Sequence, residues 1–375
     1  METLRRALSR DRVAHAYLFH GPEGSGKRAA AIAFARALEC ERGGDAACGE
    51  CGACGRSGRL LHPDIQVLLP QPADAKPEEV RERLDRLAAE PYATIDFVRR
   101  SSLDDPTNVS NRIIQYSVDR VHADLHRVLS FRSVEGRWKV AIITDAELLR
   151  KEAANAFLKL LEEPTPRTVF VLTTSRADRL LPTIVSRCQQ IRFERLSDEE
   201  ISSVLVSRSG IDPAVALAIS RMSDGSFSRA LDLAESADLM ASRQEVVDFL
   251  RAAYQAWTHA DSAAEAVERL SRRGREHLKF LLSLTLVWLR DLLLWRHFGE
   301  DAPIVNVDQR AELARFAGGV PAARPEVLVA LVEQAIELLD RNVNPKLVLS
   351  VLAQRLAEAM RGADAAKLVQ SLVEA

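Results

Sequence analysis

The chain has 375 residues, too many for a single hydrophobic core and enough for two or three domains. Its 47% hydrophobic and 28% charged residues exclude a disordered chain, and a formal net charge of -2 excludes a surface that coats nucleic acid all over, leaving room for a local basic face. The opening METLRRALSRDR lacks the apolar core of a signal peptide, so a cytoplasmic location is expected.

The apolar run Ala16–Phe19 predicts a strand, and an Ala-rich helical pattern begins near Lys27. Between them, Gly21 to Arg28 read GPEGSGKR, which fits the phosphate-loop template G-x-x-x-x-G-K-[ST] except at its last position. Gly21, Gly24 and Gly26 let backbone N–H groups close on an anion, the helix start adds its dipole, and Lys27 reaches outer phosphates. Arg28 stands where a Ser or Thr hydroxyl would ligate magnesium, and a guanidinium has no lone pair to offer a metal. The loop therefore leaves ATP binding open, while Mg2+-dependent hydrolysis is not expected.

Four of the five cysteines, Cys40, Cys48, Cys51 and Cys54, follow as C-x7-C-x2-C-x2-C in a Gly-rich stretch. Thiolates at two-residue spacing can share one tetrahedral Zn2+, and four sulfurs leave no open position for a water, so the expected zinc is structural. Cys188 reads as a small buried hydrophobe. Short runs at Ile65–Leu68, Lys139–Ile143, Thr168–Thr173 and Gln190–Phe193 alternate with helical patterns and predict a parallel sheet covered by helices on both faces. The polar segment from Pro70 to Ser117 reads as a surface insertion, partly helical over Glu78–Arg86, with no recognisable chemistry.

In a working nucleotide hydrolase the strand at Val140–Ile143 would end in a magnesium-binding Asp followed by a Glu that orients water. Here it ends Thr144-Asp145-Ala146-Glu147, and Asp145 reads as the N-cap of a helix over 146–163. From about Leu196 the pattern is all helix, with breaks near Ser209-Gly210, Asp224-Gly225 and Asn344-Pro345. The apolar Phe280–Trp295 is interrupted by Arg290 and Asp291, so it is a core helix and no membrane span.

GPEGSGKR, the cysteine cluster, His62-Pro63-Asp64, the run NAFLKLLEEP at 155–164 and LPTIVSRC at 181–188 occur in one order across the first half of the chain. In that order they resemble bacterial DNA polymerase III clamp-loader subunits of the AAA+ class, most specifically the delta prime type. Gly225–Leu231 is similar to the second-sensor region, with Ser228 one position before Arg229 where ATPase subunits carry their Arg, and Asn344–Leu347 echoes the collar. The resemblance implies an α/β AAA+ P-loop core with a parallel sheet over residues 1–195, holding a zinc module at about 40–54 and the insertion at about 70–117. A small helical lid over 196–240 and an all-α collar over 241–375 would follow.

The resemblance also implies function. Arg187 would be an arginine finger reaching a neighbour's nucleotide in trans, and Thr174 would lie near the first-sensor position. Partners would be the tau/gamma ATPase subunits and a delta subunit in a ring, with the sliding clamp and primed DNA met through the assembly. An active tau/gamma-type ATPase is an alternative that lacks its metal-binding residues at Arg28 and Thr144. A zinc-dependent nucleic-acid module is a second alternative; beyond the cluster it has only Arg56 and Arg59 and no aromatic to stack on bases.

Overall fold

The computed structural model describes residues 2–98, 103, 113–116, 133–135, 137–235, 237–256, 258–341 and 343–363. Residues 99–102, 104–112 and 117 of the expected insertion lie outside them. The chain divides into two compact units, residues 1–197 with 223–232, and residues 198–222 with 233–375.

In the first unit the elements are α1 (Glu2–Ser9), β1 (Ala16–His20), α2 (Lys27–Glu39), α3 (Gly52–Gly58), β2 (Ile65–Leu68), β3 (Gln71–Pro72), α4 (Pro77–Ala89), β4 (Ile114–Gln115), β5 (Lys139–Ile143), α5 (Lys151–Glu162), β6 (Thr168–Thr174), α6 (Pro182–Val185) and β7 (Gln189–Arg192). Five strands form one parallel sheet in the order β2-β5-β6-β1-β7, and β3 pairs with β4 in a separate antiparallel pair. Every residue of β5 and β6 is buried, because both faces of a parallel sheet are covered, and their polar members, Lys139, Thr168, Thr173 and Thr174, stand at the strand ends. Side chains alternate between two cores. Tyr17, Phe19, Val140, Ile142, Val169 and Val171 pack with α1, α2 and α4, while Leu18, Ala141, Ile143, Phe170 and Leu172 pack with α5. The Tyr17 ring meets Phe34 of α2 edge-on at 5.1 Å, and Phe170 meets Phe157 of α5 at 5.2 Å.

The helix expected from Ala146 is interrupted. Asp145 adopts a left-handed conformation (φ 45°, ψ 52°) and its side chain caps nothing. A single 3-10 turn over Ala146–Leu148 ends at extended Leu149, which bridges Tyr116, and α5 starts after Arg150. Pairing with Tyr116 thus overrides local helix propensity. The last strand also lies one residue earlier than expected, at Gln189–Arg192.

The second unit is helical. It contains α7 (Asp198–Ser209), most of α8 (Pro213–Ser223), the end of α9 (Phe227–Glu235), then α10 (Ala237–Gln255), α11 (Ala260–Ser271), α12 (Arg275–Phe298), α13 (Arg310–Gly319), α14 (Pro325–Asp340) and α15 (Pro345–Met360). α12 carries fully buried Leu289 and Leu292, and Trp288 meets Phe316 of α13 edge-on at 4.8 Å. Asp291, also fully buried, accepts the backbone N–H groups of Val305 and Asn306 at 2.9 and 2.7 Å and the Asn306 amide at 2.7 Å. Arg243 of α10, 2% exposed, completes the network by donating to Asn306 Oδ1 and to both carboxylate oxygens of Asp308. A polar pair inside a helical bundle is tolerated when every member is satisfied. Asn344 caps α15 by accepting from the N–H groups of Lys346 and Leu347, which explains the Asn-Pro break. Among the described residues no helix is long and apolar enough to cross a membrane.

Candidate functional site: a closed phosphate loop and a four-cysteine hairpin

The phosphate loop leaves the carboxyl end of β1 and enters α2 at Gly26, the position at which open α/β sheets build their ligand crevices. Gly24 (φ 70°) and Gly26 (φ 86°) hold conformations that L side chains rarely adopt, and neither has space: a Cβ on Gly24 would lie 1.8 Å from Ser226 Oγ, and one on Gly26 would lie 3.2 Å from the Tyr92 ring. Gly21 closes the strand end, and its carbonyl accepts from Lys27 Nζ at 2.8 Å. Lys27, 7% exposed, also donates to Pro22 O and, at 3.3 Å, to Ser175 Oγ. The ammonium is therefore folded back onto its own loop.

Arg28 does not point to a metal position. Its guanidinium donates to the carbonyl of Ala93, in the stretch after α4. That stretch is otherwise tied down by Arg83, which donates to Ile95 O at 2.6 Å and stacks 3.7 Å from the Phe97 ring centroid, and by Thr94, which donates to Asp232 at 2.7 Å. The result is that Pro91 and Tyr92 wall the cleft beside Glu23, Gly26, Lys27 and Arg28, with the Tyr92 ring edge-on to Phe227 at 4.9 Å. The cavity left is about 40 Å³. That is room for about three waters.

Across the cleft, the Thr144 hydroxyl donates to Leu68 O at 3.2 Å, and Asp145 reaches the cleft wall from its left-handed turn. Glu147 accepts the Ser175 N–H at 3.2 Å, which binds it to the end of β6. Thr173 and Ser175 line the cleft; Thr174, 1% exposed, sits between them and accepts the Arg176 N–H with its hydroxyl. Ser228 lines the cleft and Arg229 is exposed. The sequence carried no motif for Tyr92 and no sign that the insertion reaches the loop; it pointed to Thr174, whose two neighbours Thr173 and Ser175 line the cleft.

Arg187 follows α6, away from this cleft. Its guanidinium donates to Thr183 O at 3.1 Å and pairs with Glu162 at the end of α5 at 2.8 Å, with the two side chains 38% and 51% exposed. Cys188 beside it is buried, and burial pushes its thiol up to about 12, leaving it inert.

Cys40, Cys48, Cys51 and Cys54 converge, with their sulfurs all within 4.8 Å of one another and Cys48 Sγ 3.9 Å from Cys54 Sγ. A Zn–S bond of about 2.3 Å in a tetrahedron sets sulfur–sulfur edges of about 3.8 Å, so the four thiols fit one zinc ion. N–H groups of Glu50 and Cys54 lower the thiols of Cys48 and Cys51 respectively, favouring the thiolate a metal needs. Burial pushes Cys54 up to about 12, a preference that a bound cation reverses. Cys51 also caps α3 through the Cys54 N–H.

His62 and Asp64, buried on either side of exposed Pro63, form a bracket beside the cysteine cluster. Asp64 accepts from Ser133 Oγ and from the N–H groups of Val134 and Glu135 at 2.8–3.0 Å, and His62 Nε2 lies 3.0 Å from Glu135. Since His62 Nδ1 accepts the Asp64 N–H, Nε2 is the protonated nitrogen and donates to Glu135. Glu39, next to Cys40, accepts the Trp138 N–H, and burial together with the Asp64 charge raises its carboxyl to about 8.

The family profile of DNA polymerase III, delta subunit, matches residues 1–197, and that of its C-terminal domain matches residues 237–358. The chain belongs to this family, and within it to the delta prime type of clamp-loader subunit. It is 26% identical over 359 residues to DNA polymerase III subunit delta' of Bacillus subtilis, covering 96% of this chain and 95% of that one. With delta' of Pseudomonas aeruginosa it shares 37% identity over 178 residues, 47% of this chain and 42% of that one. With subunit tau of Bacillus subtilis it shares 23%, over 95% of this chain and 59% of that one. Among solved structures, a DNA polymerase III gamma subunit-related protein from Thermotoga maritima aligns over 96% of this chain and 99% of its own, at 17% identity and a TM-score of 0.40. The parallel P-loop core, the four-cysteine hairpin and the helical C-terminal region form the AAA+ architecture implied by the sequence motifs.

Proposed function

We propose that this chain acts as the delta prime subunit of a DNA polymerase III clamp loader in replication, catalysing in trans without hydrolysing ATP itself. The observation that carries the reading is the contrast between two cations. Arg28, at the place of the metal-binding hydroxyl, is committed to the backbone that narrows its own cleft, whereas Arg187 is half-exposed and held by a surface ion pair with Glu162 and one hydrogen bond to Thr183 O. Such a pair is worth about 0–1 kcal/mol, so a neighbour's γ-phosphate can replace Glu162 at little cost. A guanidinium there would stabilise the charge that develops on phosphoryl transfer.

Residues 1–195 would form the core, 196–240 the lid and 241–375 the collar that joins a ring with tau/gamma subunits and a delta subunit. The sliding clamp and primed DNA would be engaged through that assembly, and the subunit would be cytoplasmic. The four cysteines would hold a structural Zn2+, whose binding energy contributes to folding. An active tau/gamma-type ATPase is disfavoured by Arg28, by Thr144 turned to a backbone carbonyl, and by the Tyr92 wall. The test is ATP turnover by a loader reconstituted with clamp and primed DNA, comparing wild type with Arg187→Ala, beside turnover by this chain alone. An inactive isolated chain together with a slowed but intact assembly supports the proposal. Turnover by the isolated chain would replace it with the ATPase reading.

A further inference from the structure

The four-cysteine hairpin does more than close on itself: residues 45–47, between Cys40 and Cys48, form one wall of a second cavity, whose other walls are α1 and α2. Its volume is about 290 Å³. The floor is apolar, built from Leu4, Leu8, Phe34 and Ala37, and two arginines, Arg5 and Arg36, are among the residues that line the cavity.

These arginines differ from their neighbours. Arg6 pairs with Glu2, Arg42 with Glu50 and Arg56 with Glu135. Arg36 is only partly exposed, its Nε is shielded from solvent, and that nitrogen has no hydrogen-bond partner; among the described residues the guanidinium has no ion pair either. Asp45 lines the same cavity and pairs with neither arginine. A shielded Nε without an acceptor is costly, while the rest of the guanidinium, which lies against Gly58 of α3, keeps a planar fork that suits a carboxylate.

We infer that this pocket docks an acidic segment of a partner protein, the carboxylate of an Asp or Glu on Arg36 and an adjacent large apolar side chain on the Leu4–Phe34 floor. Charge complementarity selects the acid, since the lining carries two positive side chains and one negative one. The apolar floor selects a peptide over a nucleic-acid backbone, which would leave it unused. The rim residues Ala33, Asp45 and Ala46 are exposed, so the cavity opens to the surface along a helix face where a chain can lie. Because the hairpin supplies one wall, closure of the cysteine cluster on its metal sets the shape of the pocket. The inference is independent of the arginine-finger proposal.

The test is selection of a random heptapeptide phage library on the immobilised, zinc-loaded full chain. Selected sequences are then made as fluorescein-labelled peptides, and their affinity is read by anisotropy for wild type, Arg36→Gln and Ala33→Trp. Expected are peptides with Asp or Glu beside Leu, Ile, Phe or Met, an affinity loss of about tenfold to a hundredfold in Arg36→Gln, and loss of binding in Ala33→Trp, whose bulk fills the mouth from an exposed position. Chelation of the metal should weaken the same peptides. Ala33→Trp decides the matter if Arg36→Gln lowers the melting temperature. The inference fails if selection yields no binder, if the binders lack an acid, or if both variants bind as wild type does. It also fails if octanoate occupies the pocket and no peptide does, since the site would then take a free carboxylate.

Discussion

The guanidinium of Arg28 hydrogen-bonds the backbone carbonyl of Ala93, so the position that serves metal chemistry in a working phosphate loop here ties down the stretch that narrows the cleft. The hydrogen bond is charge-assisted and partly shielded.

Arg28→Ala should therefore loosen residues 90–96, with a loss of about 1.5–3 kcal/mol in local stability. Hydrogen exchange of those amides reads it directly, and unchanged protection would show that Arg83 and Thr94 suffice alone. Arg28→Thr, which restores the missing hydroxyl, should still give no ATP turnover, because Thr144 offers no charge to a metal and Tyr92 still walls the cleft.

Zinc content should be one ion per chain by elemental analysis. Cys51→Ser should lose the metal, although its hydroxyl can still cap α3, and lower the melting temperature of the first unit. An unchanged melting temperature with unchanged metal would remove Cys51 from the ligand set.

At Arg187 the side-chain geometry matters beyond its charge. In the reconstituted loader, Arg187→Lys should be nearly as slow as Arg187→Ala, because an ammonium cannot span two phosphate oxygens as a guanidinium does. Thermal unfolding of the isolated variants should move by no more than about 1–2 kcal/mol, since an exposed pair and one exposed hydrogen bond to Thr183 O are lost. A Lys variant with full turnover would argue against the finger.

In the second unit, Arg243→Met should cost about 3–5 kcal/mol, because it strands Asp308 and Asn306 beside a buried gap. Denaturant unfolding of the full chain checks this, and a loss below about 1 kcal/mol would mean that the network is dispensable.

The strands were legible in the sequence because β5 and β6 are buried on both faces, so Lys139–Ile143 and Thr168–Thr174 read as nearly unbroken apolar runs. The cysteine hairpin was legible because its chemistry is local, set by spacing within 15 residues, Cys40 to Cys54. Asp145 was misread because its conformation is imposed by Tyr116, a partner 29 residues away whose bridge to Leu149 breaks the helix. Tyr92 was invisible for the same reason: nothing between Pro91 and Ala93 distinguishes a loop that folds over Gly26 from one that faces water. Long-range contacts made by residues without a motif leave no periodicity to read.

The register of β1 has a consequence for how the chain matures. Tyr17 lies between Val171 and Gln189, so the first strand made waits for both of its neighbours until synthesis passes residue 189. At about 5–20 residues per second that is a delay of roughly 9–34 s. Throughout it the apolar β1 lacks its sheet partners, while the cysteine hairpin can already fold around metal. Nascent chains halted before β6 should accordingly bind zinc and yet remain protease-sensitive across β1.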